Sequence, residues 1–367
     1  MTHATIYEVA IGLVPGIGNQ LTRQLVSYCG APEQVFREKK GKLLKIPGIG
    51  ENIARSIIQS DIFTKAEKQL EMAVKTGTRI LFYTNEEYPE RLKTITDAPT
   101  LIYFKGNGNL NVPRTVGIVG TRNATGYGKE MTEKIISELK DLNIQIISGL
   151  AYGIDSYAHK AALEHGLSTI GVMATGVNIV YPALHKELAG RMLSSGGLLT
   201  EYPFDTKPEP GYFPARNRII AGLSDVVIVV EASTSGGALI TAELANGYNR
   251  EVMAVPGNIT NKYSLGCNNL IKSHKAQILS QPSDIIELMN WDVTELPSQE
   301  KSIPKIPEGL SEEEKKVVEI LIQNGETHID ELCWKSQIPV SRMASLLLNL
   351  EFGNQIKSLP GKKYKLV

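Results

Sequence analysis

Three glycine-rich stretches hold most of the residues in this sequence that could do chemistry. GIVGTRNATGYG runs from Gly117 to Gly128, SGLAYGID from Ser148 to Asp155, and SGGALITAE from Ser235 to Glu243. Glycine lets the backbone approach a ligand closely, and the amides at a helix start attract anions. Gly120, Thr121 and Arg122, then Ser148 and Gly149, then Ser235, Gly236, Gly237 and Thr241 are therefore expected to surround phosphate oxygens. Arg122 stands two residues past Gly120, so its guanidinium could fork onto a phosphate; a surface ion pair is the blander role for it. FPARNRIIAGLSD adds Phe213, Arg216 and Asn217, and YPALHK, from Tyr181, adds His185 and Lys186. Cations interleaved with aromatics suit a nucleic-acid strand whose phosphates are gripped while its bases stack. Arg216 and Arg218 must point in different directions on a helix, so part of this arginine set is expected to form structural pairs.

Other chemistries find less support. GxGxxG is absent, and Ser148-Gly149 stands where a dinucleotide-binding domain would offer an acidic group to the ribose, so no nicotinamide or flavin cofactor is expected. Gly128-Lys129 is followed by Glu130, and Asn123 occupies the place of a Walker loop's first glycine, so neither is an ATPase expected. Asp155 and His159 lie four apart on one helix face, a spacing open to a metal or an acid-base pair, yet no third ligand is in view. Asp155 also suits the first turn of a helix as a plain charge partner. We expect no metal and no catalytic residues. Cys29, Cys267 and Cys333 are too far apart for a metal-binding pair or a disulfide framework.

The elements that must position these residues show in the apolar pattern. From Thr115 onward VGIVG, IQIIS from Ile144, STIGVM from Ser168, VVIVVE from Val226 and EVMAVP from Glu251 are short, β-branched runs separated by helical segments such as KEMTEKIISELKDL. Runs of this kind are strands buried on both faces, and parallel strands need such crossovers. The expected fold class is α/β, a Rossmann-like doubly wound parallel sheet. RILFY from Arg79 and LIYF from Leu101 read as an extension packed on that domain.

Residues 1–75 carry an internal repeat, LVPGIGNQLTRQLV from Leu13 and KIPGIGENIARSII from Lys45, with the layout of an all-α helix-hairpin-helix (SAM-like) module. Residues 291–309 turn polar and proline-bearing, as a linker does. Residues 310–367 give three helices and a hairpin, the order of a winged-helix domain. The expected division is thus 1–75, 76–290, 291–309 and 310–367. Lysine plus arginine equals aspartate plus glutamate at 39 each, so nucleic-acid binding requires a local patch. The sequence lacks a signal peptide pattern or a membrane-length apolar run, and a cytoplasmic location is expected.

The series GTR, SGLAYGIDSYAH, YP, TEYP, FPARNRIIAGLSD, VVEAS, SGGALITAE and VPGN, in this order across residues 78–290, resembles the DNA-processing protein A (DprA, or Smf) family. The terminal modules fit the same resemblance. It implies a protein without catalytic activity that binds single-stranded DNA, forms a homodimer through its Rossmann-like domain, and loads the recombinase RecA during natural transformation. Arg122 corresponds to the arginine of the family's GSR-type motif, with Thr121 replacing the commoner serine. Lys186 falls where the family places a pocket lysine, with His185 the alternative by one residue. The dimer edge would be the stretch from Leu270 to Leu279.

The terminal modules leave alternatives. Arg342 is the lone cation of the presumptive recognition helix, and residues 310–367 balance eight basic against eight acidic side chains. Protein docking, or weak duplex contact through Lys362, Lys363 and Lys365, is expected there over sequence-specific binding. In the N-terminal module Arg23, Lys42, Lys45 and Arg55 could meet phosphates, or the repeat could be scaffold only. Two rival functions remain: a phosphoribohydrolase-like enzyme acting on nucleoside monophosphates, whose GGxGT loop is broken here by Ala238-Leu239-Ile240, and a winged-helix regulator of duplex DNA.

Overall fold

The computed structural model describes residues 4–58, 61–291, 310–336, 338–353, 355–359 and 362–366. The linker expected at 291–309 lies, from 292 on, outside the described residues. The chain forms two compact units, Met1–Thr294 and Glu295–Val367.

The first unit is built on a nine-stranded sheet of β1 (Thr78–Phe82), β2 (Leu101–Lys105), β3 (Arg114–Val119), β4 (Ile144–Ser148), β5 (Ser168–Val172), β6 (Gly197–Thr200), β7 (Val226–Val229), β8 (Glu251–Ala254) and β9 (Gln277–Ile278). Their order is β1-β2-β6-β5-β4-β3-β7-β8-β9. The five β-branched runs are β3, β4, β5, β7 and β8, paired in parallel. Val116, Ile118, Ile146, Ile170, Val227 and Ile228 are all buried in the cores on the two faces.

The sheet is the expected doubly wound parallel one from β3 to β9, and it gains antiparallel pairings at one end. β2 pairs antiparallel with both β1 and β6, so the extension continues the sheet itself. Glycine permits that junction: a Cβ on Gly197 would sit 2.5 Å from the Lys105 carbonyl oxygen. From β3 the strand order runs one way through β4, β5 and β6 and the other way through β7, β8 and β9. Such a reversal opens a crevice beyond the carboxyl ends of the strands on either side, here β3 and β7.

Six helices precede the sheet, from Ile6–Leu13 to Asp61–Thr76. Gly16 and Gly48 take φ of +83° and +81° in the two matching turns, the left-handed region that favours glycine. The helices share one hydrophobic core with the β1/β2 pair, in which Val9, Leu25, Ile57 and Ile62 join Ile80, Phe82 and Tyr103. Arg23 spends its guanidinium on this contact, lying 4.4 Å from the Tyr83 ring centroid, and Lys42 pairs with Glu38. Neither is held out for a phosphate.

The second unit has helices Glu312–Asn324, Ile329–Ser336 and Val340–Phe352, and a three-stranded sheet of Thr327–His328, Lys363–Leu366 and Ile356–Leu359 in that spatial order. Val317, Leu321, Met343, Leu346 and Leu350 fill its core. This is a winged helix. Ser311 caps the first helix in a reciprocal pairing with Glu314.

Candidate functional site

A cleft of about 500 Å³ lies at the β3/β7 crevice. Its first wall is the turn from Gly120 to Thr125. Glu231, buried at the end of β7, shapes that turn by accepting hydrogen bonds from the Thr125 amide (2.9 Å) and hydroxyl (2.6 Å), while its own carbonyl takes the Thr121 amide at 2.7 Å. Gly128 is required by this approach, since a Cβ there would come 2.2 Å from the Glu231 carboxylate. The turn holds Arg122 exposed, with its guanidinium 5.7 Å from the centroid of the Phe213 ring. Among the described residues no carboxylate forms an ion pair with it, so the surface-pair role is not the one seen.

The second wall is the start of helix Gly237–Gly247. Ser235, Gly236 and Gly237 are exposed there, and Gly236 has φ +148°. The amides of a helix's first turn have no partner within the helix and carry its positive end. A third contribution was not foreseen from sequence. Lys262 reaches the cleft from the connection after β8, which is stitched to β7 by the Ala232 amide on the Tyr263 carbonyl (2.7 Å) and the Gly266 amide on the Ala232 carbonyl (2.9 Å). Lys262 is exposed and, like Arg122, makes no ion pair among the described residues.

Beneath the cleft is a buried polar floor. Arg216, 4% exposed, donates to the carbonyls of Gly149 and Val172. Burial lowers its pKa and raises that of Asp155, with each partly restoring the charge of the other. His159 is fully buried, its Nδ1 2.7 Å from the Thr169 hydroxyl, and burial, with the His185 ring and the Arg216 guanidinium nearby, lowers its pKa to about 3. His159 is closed to a substrate, Asp155 borders the cleft at 6% exposure, and among the described residues no cluster of three ligands is placed to hold a metal.

Several side chains expected to meet phosphates spend polar atoms on the protein itself. The Ser148 hydroxyl is buried and donates to the Ile118 carbonyl; the Thr241 hydroxyl is buried and donates to the Gly237 carbonyl. Asn217 is buried and donates to the same Gly237 carbonyl, bracing the second wall from behind. Gly149 is buried under Arg216, whose guanidinium would clash with any Cβ there. The Thr121 amide is taken by Glu231, leaving its hydroxyl, which accepts from the Asn123 amide at 3.2 Å. Arg216 itself supplies charge from below rather than a contact at the mouth. Arg218 pairs with Glu201 and Asp97.

Of the two candidates for a pocket lysine, His185 is buried with its Nδ1 2.9 Å from the Leu150 carbonyl, and Lys186 is exposed on the first turn of helix Lys186–Ser195, outside the cleft lining. Aromatic rings beside Arg122 were in part missed: Tyr152 and Tyr181 are 44% and 50% exposed, and Tyr181 lies 5.6 Å from Phe213. Together they frame a small cavity of about 40 Å³ that Arg122 also borders.

Comparison with known proteins agrees with this architecture. The family model described as DNA recombination-mediator protein A matches residues 79–290, a DprA winged helix domain matches 302–362, and a SAM-like helix-hairpin-helix tandem matches 11–60. Protein Smf of Synechocystis is 30% identical over 391 residues, covering 98% of each chain. DprA of Streptococcus pneumoniae is 35% identical over 273 residues, 69% of this chain and 96% of its own. The crystal structure of that protein superposes with a TM-score of 0.65 over 79% of this chain and 99% of its own, at 35% identity. A structure from Helicobacter pylori, titled for the single-stranded DNA binding mode of its DNA processing protein A, gives a TM-score of 0.53 at 30% identity over 59% of this chain and 97% of its own. The chain belongs to the DNA-processing protein A (DprA/Smf) family.

Proposed function

We propose that this protein grips single-stranded DNA in the β3/β7 cleft and, as a cytoplasmic homodimer, loads RecA recombinase during natural transformation or a related recombination task, without catalysing a reaction itself. The observation that carries the reading is the charge at the cleft mouth. Arg122 and Lys262 are exposed and without ion-pair partners among the described residues, above the buried Arg216 and beside a helix start. Phosphates neutralise such cations, and Tyr152, Tyr181 and Phe213 offer faces on which unpaired bases stack. The Helicobacter pylori relative, whose structure is titled for single-stranded DNA binding, supports the same ligand.

Two observations weigh against the rival functions. An enzyme acting on nucleoside monophosphates needs an acid or base that reaches its substrate, whereas His159 is fully buried and Asp155, which borders the cleft, is only 6% exposed beside Arg216. A duplex regulator needs cations on its recognition helix, whereas Arg342 is tied to Glu313 at 2.8 Å. RecA loading and dimerisation through the Leu270 to Leu279 stretch rest on family membership. Fluorescence anisotropy with oligo-dT and a duplex tests the ligand: the single strand should bind more tightly, and equal or stronger duplex binding would contradict the cleft reading. RecA strand exchange on DNA coated with single-strand-binding protein tests the loading step. Acceleration is expected, and no change would remove RecA loading while leaving DNA binding in place.

A further inference from the structure

We infer that the DNA strand continues past Arg122 into a second groove, where Tyr157, Lys129 and Lys160 form a further nucleotide subsite. The inference rests on the single-strand reading above. The groove, about 630 Å³, is lined by Arg122, Asn123, Tyr152, Tyr157, Lys160 and His185 among others. Arg122 and Asn123 line the cleft as well, so the two cavities meet at the tip of one turn. A polymer whose phosphate is held by Arg122 therefore has a continuation on each side of that residue.

The far end of the groove has the two properties a nucleotide needs. Tyr157 presents a half-buried ring flanked by two ammonium groups, Lys129 Nζ at 5.6 Å and Lys160 Nζ at 5.7 Å from its centroid. They come from different helices, Gly126–Leu139 and Ile154–Glu164, which pack side by side. Both lysines are exposed, and among the described residues neither forms an ion pair. A tyrosine face with flexible cations at its rim accepts a stacked base and its phosphate whatever the sequence. Tyr152, 44% exposed, lines the same groove as this ring and Arg122 and offers a further face for a base.

The Lys129→Ser/Lys160→Ser double variant tests the subsite by oligonucleotide length and salt. Each phosphate contact on a single strand contributes about 0.7 to the slope of log K against log salt, so losing both should flatten the slope by about 1.4 on an oligo-dT of about 20 nucleotides. Affinity for that oligomer should fall about tenfold at low salt, with an oligomer of about 6 nucleotides, which fills the Arg122 cleft alone, little changed. An unchanged slope on the long oligomer, with Arg122→Glu still abolishing binding, would overturn the subsite and leave the cleft reading standing. Equal weakening on both lengths would overturn it too, because the lysines would then act at the cleft. Absence of any single-strand binding by the wild type would remove both. Photo-crosslinking of iodouridine-bearing oligomers to the unaltered protein gives a check independent of folding: the long oligomer should label the Tyr157 side chain. Labelling confined to Tyr152, Tyr181 and Phe213 would contradict the inference.

Discussion

The β3/β7 cleft and the candidate recognition helix of the winged-helix unit are both places where a DNA contact would be sought, and their arginines spend their charges in opposite ways. At the cleft, Arg122 and Lys262 are left without carboxylate partners among the described residues, and a buried arginine lies below. In the winged helix, Arg342 pairs with Glu313, Lys363 with Glu326, Lys335 with Glu331 and Lys315 with Glu312, while Lys362 and Lys365 on the wing are exposed without an ion pair among the described residues. Its presumptive recognition helix instead exposes Val340, Leu348 and Phe352, the last at 82%. A cation already paired on the surface has less to gain from a phosphate. The lesson is that a fold names a possible DNA site, and unspent charge says where to test for it.

The comparison is most severely tested from the cleft floor. Arg216→Met should cost about 3 kcal/mol of stability in denaturant unfolding, because it strands two buried carbonyls and the charge of Asp155. A loss below about 1 kcal/mol would show that the floor is not braced as described. Next, Lys262→Ala should weaken oligo-dT binding by about 1 kcal/mol, roughly fivefold, and reduce the salt slope by about 0.7, with unfolding unchanged. An unaltered slope would remove Lys262 from the site.

The floor should also be sensitive to acid. His159 has its folded pKa lowered from 6.5 to about 3, so the unfolded chain binds its proton first as pH falls. Its contribution is therefore present above pH 6.5 and lost as pH drops toward 3. The stability gap between wild type and His159→Gln should narrow over that window, a difference measurement that cancels the opposing titration of Asp155. A constant gap would mean that His159 is not held neutral. The smallest effect is expected in the other region: Arg342→Ala should change single-strand affinity less than about twofold, and a larger loss would erase the contrast between the two regions.

Much of this was legible in residue types. The β-branched runs gave β3, β4, β5, β7 and β8, and paired PGIG turns announced the N-terminal helices. β6 escaped because GLLT is short and offers a single β-branched residue, and β9 because it is two residues long. The sites of the glycine turns were readable, since glycine records a backbone need. The direction of polar side chains was not. Ser148 and Thr241 looked like phosphate donors, yet each lies within reach of a buried carbonyl, a fact of tertiary packing. Lys262 carries no motif; the clue available was that the connection after β8 adjoins the one after β7 in any doubly wound sheet. Glu231, just past the end of β7, braces the turn that holds Arg122.

The most direct test of the central claim is anisotropy of labelled oligo-dT across a salt series for the wild type and Arg122→Glu. Arg122 is exposed and makes no ion pair among the described residues, so the variant should fold as the wild type does. The account predicts wild-type affinity that falls steeply with salt and a loss of at least about a hundredfold in the variant at low salt. Binding that survives Arg122→Glu unchanged would place the DNA elsewhere and contradict it.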